Sequence, residues 1–73
     1  MKTLFSLTTY ANAGRIAAKA CHRNDAALAS ETQRWFNLAI AREQPADKEL
    51  ARQAYREAYR MESDVEVSKT IVL

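Results

Sequence analysis

The sequence predicts a mainly α fold: a single domain, residues 1–73, built as a three-helix antiparallel bundle with a short β-like tail at the carboxyl end. The chain has 14 alanines but only one glycine and one proline, a composition that favours helices. Apolar residues recur every three or four positions, as they do on one face of a helix. Two short polar breaks divide this pattern into three segments, and short connections make consecutive helices antiparallel.

The first helix is predicted at residues 9–22. Thr8 or Thr9 can cap its start, because a threonine hydroxyl accepts a hydrogen bond from a free backbone N–H. Gly14 lies in the middle of this helix and costs about 1 kcal/mol relative to alanine, unless a neighbouring helix crosses closely there. The preceding residues 1–7 fit either a short strand or an earlier start of the helix.

The second helix is predicted at residues 26–43. Asn24 can adopt the left-handed conformation that ends the first helix, and Asp25 can cap the second. Because this segment is the most apolar of the three, we expect it at the centre of the bundle. Its largest apolar side chain, Trp35, is the expected anchor of the core.

The third helix is predicted at residues 47–63, after the break at Pro45 and with Asp47 as its cap. An apolar stripe runs along it, formed by Leu50, Ala54, Ala58, Met61 and Val65. Such a stripe needs a partner surface, either from the other helices or from another molecule.

The tail, residues 65–73, is rich in β-branched residues that alternate with polar ones, which predicts a strand in need of a partner edge.

The distribution of charge is less even than the net charge of +2 indicates. Residues 1–24 carry four basic residues and no acid, whereas residues 25–73 carry seven basic and nine acidic residues. A basic stripe with four-residue spacing follows helix 1, at Arg15, Lys19 and Arg23. No acid on the same helix balances this stripe, so phosphates of a nucleic acid or an acidic protein surface would supply the missing charge. A solvated helix face is the alternative interpretation.

Helix 3 carries a second basic stripe beside two tyrosines. The set consists of Arg52, Tyr55, Arg56, Tyr59 and Arg60. Tyrosine and arginine are enriched at the energetic centre of protein interfaces, so this set is predicted to bind a protein partner. The alternative places the tyrosines at the edge of the core and the arginines in solvent.

No motif indicates catalysis, a cofactor or a metal site, and we expect a protein that is not an enzyme. Cys21 and His22 are adjacent on a helix and point about 100° apart, which does not suit a nucleophile and its base. We interpret Cys21 as a small thiol that faces the core. With a single cysteine, no convincing signal peptide and no apolar run of membrane-spanning length, the chain is expected to be cytoplasmic with a reduced thiol.

Self-association is a further prediction from size. A chain of 73 residues buries little surface, and this one has neither a disulfide pair nor a metal site to stabilise it. A protein partner, a second copy of the chain and nucleic acid are therefore the partners to consider, and a membrane is not among them.

The segment AYREAYRMES gives helix 3 its charged and tyrosine-bearing surface. A cytoplasmic chain of this length, with one thiol, no catalytic motif and such a helix, resembles the small phage-encoded inhibitors of bacterial defence, the anti-CRISPR proteins among them. The resemblance implies a small non-catalytic binding protein that blocks or joins a larger macromolecular assembly. Many of those inhibitors are strongly acidic mimics of DNA, and the net charge of +2 favours direct blocking of a site instead. The alternative is a small dimeric nucleic-acid-binding protein that contacts phosphates through its arginine stripes.

Overall fold

The computed structural model describes residues 7–71, which form three α-helices. The helices are α1 (Leu7–His22), α2 (Ala26–Ile40) and α3 (Pro45–Ile71). The prediction of a mainly α bundle with three helices is therefore confirmed. Helix α1 begins two residues earlier than predicted, and α2 ends three residues earlier. The choice between strand and helix for residues 1–6 lies outside the part of the chain that is described.

Capping contacts explain the boundary between α1 and α2. Asn24 has a φ of 58°, the left-handed conformation expected of a residue that ends a helix. The N–H of Asp25 donates to the carbonyl of Ala20 at 2.8 Å. The Asp25 carboxylate accepts a hydrogen bond from the N–H of Leu28 at 3.1 Å, so its predicted capping role is confirmed.

The start of α3 differs from the prediction. The helix begins at Pro45, because the fixed φ of proline suits the first helical position and its missing N–H has no intrahelical partner there. The N–H of Lys48 donates to the carbonyl of Gln44 at 2.8 Å, which closes the first turn. Asp47 lies inside this turn, so its predicted role as the cap is wrong, although its charge still lies near the positive end of the helix.

The strand predicted for residues 65–73 is wrong over residues 65–71, which continue α3. Strand preference of β-branched residues depends on context, and a single strand without a partner is not stable. The helical end is instead tied to α1, because the buried carboxylate of Glu66 lies 3.7 Å from the guanidinium of Arg23. Residues 72–73 lie outside the described range.

Helix α1 lies between the other two helices, whose backbones approach each other at few points. Near the start of α1, Tyr10 contacts Phe36 near the end of α2, with 5.9 Å between the ring centroids, so these helices are antiparallel. Near the end of α1, Arg23 reaches Glu66 near the end of α3, so these two are parallel. The prediction that α2 occupies the centre is therefore wrong.

Small side chains allow α1 to take the central place. Its buried residues other than Tyr10 are Ala13, Gly14, Ala17, Ala18 and Ala20. At Gly14 the backbone of α3 is so close that an added Cβ would collide with the carbonyl oxygen of Tyr55 and lie 3.2 Å from the nitrogen of Tyr59. From the sequence, a glycine in the middle of α1 was expected to be unfavourable unless another helix crosses closely at that point. Helix α3 does cross closely there.

The core gathers around Tyr10, whose side chain is fully buried. The central cluster consists of Tyr10, Phe36, Ala39, Ile40 and Ala51. The Tyr10 hydroxyl donates a hydrogen bond to Oε2 of the buried Glu43 at 2.7 Å, which satisfies the phenol inside the core. Trp35 is only partly buried at the edge of this cluster, so Tyr10 and not Trp35 is the anchor. The molecule is elongated, with extents of 50 × 21 × 13 Å.

Candidate protein-binding surface

Four of the five residues predicted to bind a protein line one groove beside α3. The groove has a volume of about 310 Å³ and is lined by Arg52, Tyr55, Arg56 and Tyr59 together with Phe36 of α2. The four-residue spacing places the two arginines along one line of the helix and the two tyrosines along the next. Because the arginines are exposed and the tyrosines half-buried, the groove has an aromatic floor and a cationic rim.

Tyr55 is held in place by contacts to α2. Its ring lies 4.1 Å from that of Phe36, measured between centroids, with 31° between the planes. Its hydroxyl donates to Oε1 of Gln33 at 3.3 Å. Burial raises the pKa of Tyr55 above its ordinary value of 10.0, so the phenol remains a neutral donor at alkaline pH values where an exposed tyrosine ionises. The floor of the groove is thus fixed before any partner binds.

Tyr59 is held from the other side by α1. A hydrogen bond with the thiol of Cys21, together with burial, raises the pKa of Tyr59. Cys21 is exposed, so the interpretation of its thiol as core-facing is wrong. The thiol lies close to Tyr59 because α1 and α3 cross tightly about two turns earlier in α1, at Gly14.

The three arginines of α3 differ in how their charges are balanced. Arg60 lies 3.7 Å from the carboxylate of Glu57 and 3.9 Å from that of Asp64, and it borders a neighbouring groove. Among the residues that the structure describes, Arg52 and Arg56 have no ion pair. The uncompensated charge of the predicted surface therefore comes from these two residues.

The basic stripe of α1 does not join this surface. Arg15 lines a groove on the other side of α3, together with Met61. Arg23 pairs with Glu66, which satisfies part of its charge inside the chain. Lys19 is partly buried and makes no ion pair within residues 7–71. The two stripes thus lie on different sides of the molecule.

The apolar stripe of α3 is covered along only one edge. Ala58 is buried and Ala54 half-buried, whereas Leu50, Met61 and Val65 are exposed. Periodicity predicted the stripe, but which edge becomes buried depends on where α1 crosses α3. The sequence predicted that either another helix or another molecule covers the stripe. It did not indicate which edge of the stripe stays exposed.

Within residues 7–71, no three histidine, cysteine or carboxylate side chains are grouped so that they could hold a metal ion. None of the three described helices is both long enough and apolar enough to cross a bilayer. Comparison of the chain with protein-family models, curated proteins and solved structures gives no match. Function is therefore inferred from the chemistry of the surfaces.

Proposed function

We propose that this is a small non-catalytic binding protein that acts in the cytoplasm by blocking or joining a larger macromolecular assembly. The observation that supports this most is the groove beside α3, where two arginines without ion pairs border an aromatic floor. Tyrosine and arginine contribute most of the binding energy at many protein interfaces. The floor is also rigid, since Tyr55 contacts both Phe36 and Gln33, and a preorganised surface loses less entropy on binding.

The groove suits an acidic protein segment that carries one large apolar side chain. Carboxylates of the segment would pair with Arg52 and Arg56, because a guanidinium group binds a carboxylate through two parallel hydrogen bonds. The apolar side chain would enter the space of about 310 Å³ and lie against the rings of Phe36 and Tyr55. The partner would thus be recognised by charge at the rim and by shape at the floor.

A bacterial defence complex is the target class that the resemblance to phage-encoded inhibitors suggests. An inhibitor of this kind would cover a functional site of the complex through direct contact. Purified CRISPR effector complexes are therefore the first assemblies to test for binding. A double variant, Arg52→Gln with Arg56→Gln, provides the comparison, because it removes the two charges of the rim and retains similar side-chain size.

Nucleic acid is the alternative partner. One observation favours it: the unpaired arginines lie beside tyrosines, and single-stranded nucleic acids bind surfaces that combine cationic side chains with aromatic rings. Arg15, Lys19 and Arg23 would add phosphate contacts in a dimer. The pairing of Arg23 with Glu66 and the net charge of only +2 weigh against this alternative.

Selection from a random-peptide display library tests the proposed chemistry without knowledge of the natural partner. We expect the wild-type protein to enrich peptides with an aromatic or large aliphatic residue flanked by aspartate or glutamate. Binding of these peptides should fall at least about tenfold in the double variant, since charge-assisted hydrogen bonds are lost. A matched control, Arg34→Gln, changes an exposed arginine of α2 and should leave binding unchanged.

Equal binding of the enriched peptides to the double variant would contradict the proposal. The same proteins should be titrated with single-stranded and duplex DNA at low and moderate salt. Binding to DNA that weakens steeply with salt and is lost in the double variant would support the nucleic-acid alternative instead.

A further inference from the structure

The exposed edge of α3 forms an apolar stripe that no other part of the described chain covers. Leu50, Met61 and Val65 expose 46%, 58% and 47% of their surface, and Ala54 lies between them, half-buried. Helix α1 cannot cover this edge, because it is already packed against the adjacent Ala58. The stripe borders a shallow groove of about 340 Å³ between α1 and α3. Exposed apolar side chains that are contiguous along a helix are typical of an interaction surface.

The spacing within the stripe selects the partner. Without Ala58, which is buried against α1, the stripe consists of Leu50, Ala54, Met61 and Val65. These four are separated by four, seven and four residues, so the order of spacings is the same from either end. We propose that the stripe binds the stripe of a second copy of this chain, with the two α3 helices antiparallel and related by a two-fold axis. Such an axis places the same patch on both subunits, and only a self-complementary patch can satisfy it.

Side-chain size fits this arrangement. An antiparallel copy sets Met61 opposite Ala54 of the other molecule, and Leu50 opposite Val65. A large side chain therefore meets a small one twice, which is how opposed helices fill the space between them. Beside Ala54 the floor of the groove is another small residue, Ala11 of α1, which leaves room for the methionine.

The charges near the proposed axis also allow a second copy. Glu57 lies at the middle of the stripe, so the axis brings two Glu57 carboxylates close together. Arg60 lies 3.7 Å from Glu57 in the same helix, and Arg15 of α1 lines the same groove. Within the described part of the chain Arg15 makes no ion pair. Its guanidinium group donates one hydrogen bond to Oδ1 of Asn12, and its charge is left to attract a carboxylate of the other copy. The basic groups thus offset the repulsion between the acids.

This self-association is independent of the proposed partner surface. The groove lined by Arg56 and Tyr59 lies on a different side of α3 from Met61. A dimer would present that groove twice, once on each subunit. If no peptide bound to the groove, the proposed dimer would not be contradicted. If the protein were a monomer, the proposed binding function would not be contradicted.

Sedimentation velocity of the full chain, over concentrations that reach about 1 mM, tests the proposal. We expect the wild-type protein to dimerise and the Met61→Glu variant to remain a monomer, because a carboxylate would be buried opposite Ala54. The matched control is Leu38→Glu, since Leu38 is 62% exposed on α2 and lies outside the stripe. This control should dimerise like the wild type. Far-ultraviolet circular dichroism of each variant checks that the helices are retained.

A second variant tests the antiparallel register. In the double variant Ala54→Lys with Met61→Glu, each introduced carboxylate faces an introduced ammonium group of the other subunit, and dimerisation should return. Parallel helices would place like charges together, and association would then stay lost. The proposal is overturned by a wild-type protein that is monomeric throughout, by a Met61→Glu variant that dimerises normally, or by a double variant that remains monomeric.

Discussion

At the scale of single residues, Gly14 determines how closely α1 and α3 approach. An alanine there should stabilise an isolated helix by about 1 kcal/mol relative to glycine. In the folded protein its Cβ would collide with the carbonyl oxygen of Tyr55, a backbone atom that cannot move without shifting α3. We therefore expect Gly14→Ala to lower the free energy of unfolding by about 1–3 kcal/mol, as overpacked sites do. Urea denaturation followed by circular dichroism measures this change.

The control for Gly14→Ala is Ser30→Ala, a change to the same residue at an exposed position of α2. Here only helix propensity acts, and stability should stay equal or rise by a few tenths of a kcal/mol. If both variants were equally stable, the close crossing at Gly14 would not limit the fold.

Local chemistry was readable from the sequence at this scale, whereas distant pairing was not. The conformation of Asn24, the cap at Asp25 and the need for a close helix at Gly14 all follow from local backbone chemistry. The hydrogen bond between Tyr10 and Glu43 joins residues 33 positions apart, and no local pattern indicates it. It arises because α1 and the turn after α2 happen to meet once the helices pack together.

At the scale of elements, the end of α3 shows how tertiary contacts override local preference. The β-branched residues from Val65 onward favour a strand, but no partner strand is available among residues 7–71. The period-two pattern also hid a helical contact, because Glu66 lies on the side of α3 that meets α1. The burial of Glu66 depends on how α3 packs against α1, so it could not be recognised from the sequence alone.

Glu66 should make the junction between α1 and α3 sensitive to acid. Burial acts to raise the pKa of this carboxyl, but the charges of Lys69 and Arg23 outweigh it, and the net result is a lowered pKa. The ordinary pKa of this carboxyl is about 4.5, and at any pH above that value the lowered pKa in the folded state stabilises the protein. This stabilisation is lost as the pH falls through the pKa of the folded state. We expect Glu66→Gln to be less stable than the wild type at neutral pH.

The test of this expectation is the difference in thermal midpoint between the wild type and Glu66→Gln, measured from neutral to acidic pH. The difference should begin to shrink below about pH 4.5, where the unfolded chain takes up a proton at this position. It should be lost once the pH has fallen through the lowered pKa of folded Glu66, because both proteins then carry a neutral side chain there. Glu49→Gln, an exposed change on the same helix, serves as the control and should follow the wild type. A difference that stays constant with pH would show that the charge of Glu66 is not the cause.

At the scale of the whole molecule, the sequence predicted three helices and the groove residues but not their arrangement. The groove could be predicted because helical spacing alone places its α3 residues on one face of that helix. These residues are Arg52, Tyr55, Arg56 and Tyr59. The central position of α1 was not, because apolar content suggested α2. The small residues of α1 allow other helices to pack closely against it on two sides. For this reason α1 takes the central position, although α2 carries the larger apolar side chains.

The three tyrosines of the chain together predict alkaline instability. Burial raises the pKa of Tyr10 and Tyr55, the bond to Glu43 adds to it at Tyr10, and the bond to Cys21 with burial raises the pKa of Tyr59. Their ordinary value is 10.0, so above that pH the unfolded chain releases protons that the folded protein retains. Stability is therefore fully present below about pH 10 and is lost as the pH rises further.

Tyr10→Phe separates this effect from the titration of lysines, which act in both proteins. The variant should be less stable than the wild type at neutral pH, because Glu43 loses its buried donor, by about 1–3 kcal/mol. Its stability should then fall less steeply above about pH 10, since the most buried phenol is gone. Urea denaturation at successive pH values gives both slopes, with tyrosinate absorbance to follow ionisation. Parallel slopes for the two proteins would mean that Tyr10 ionises no less readily in the folded state than in the unfolded chain.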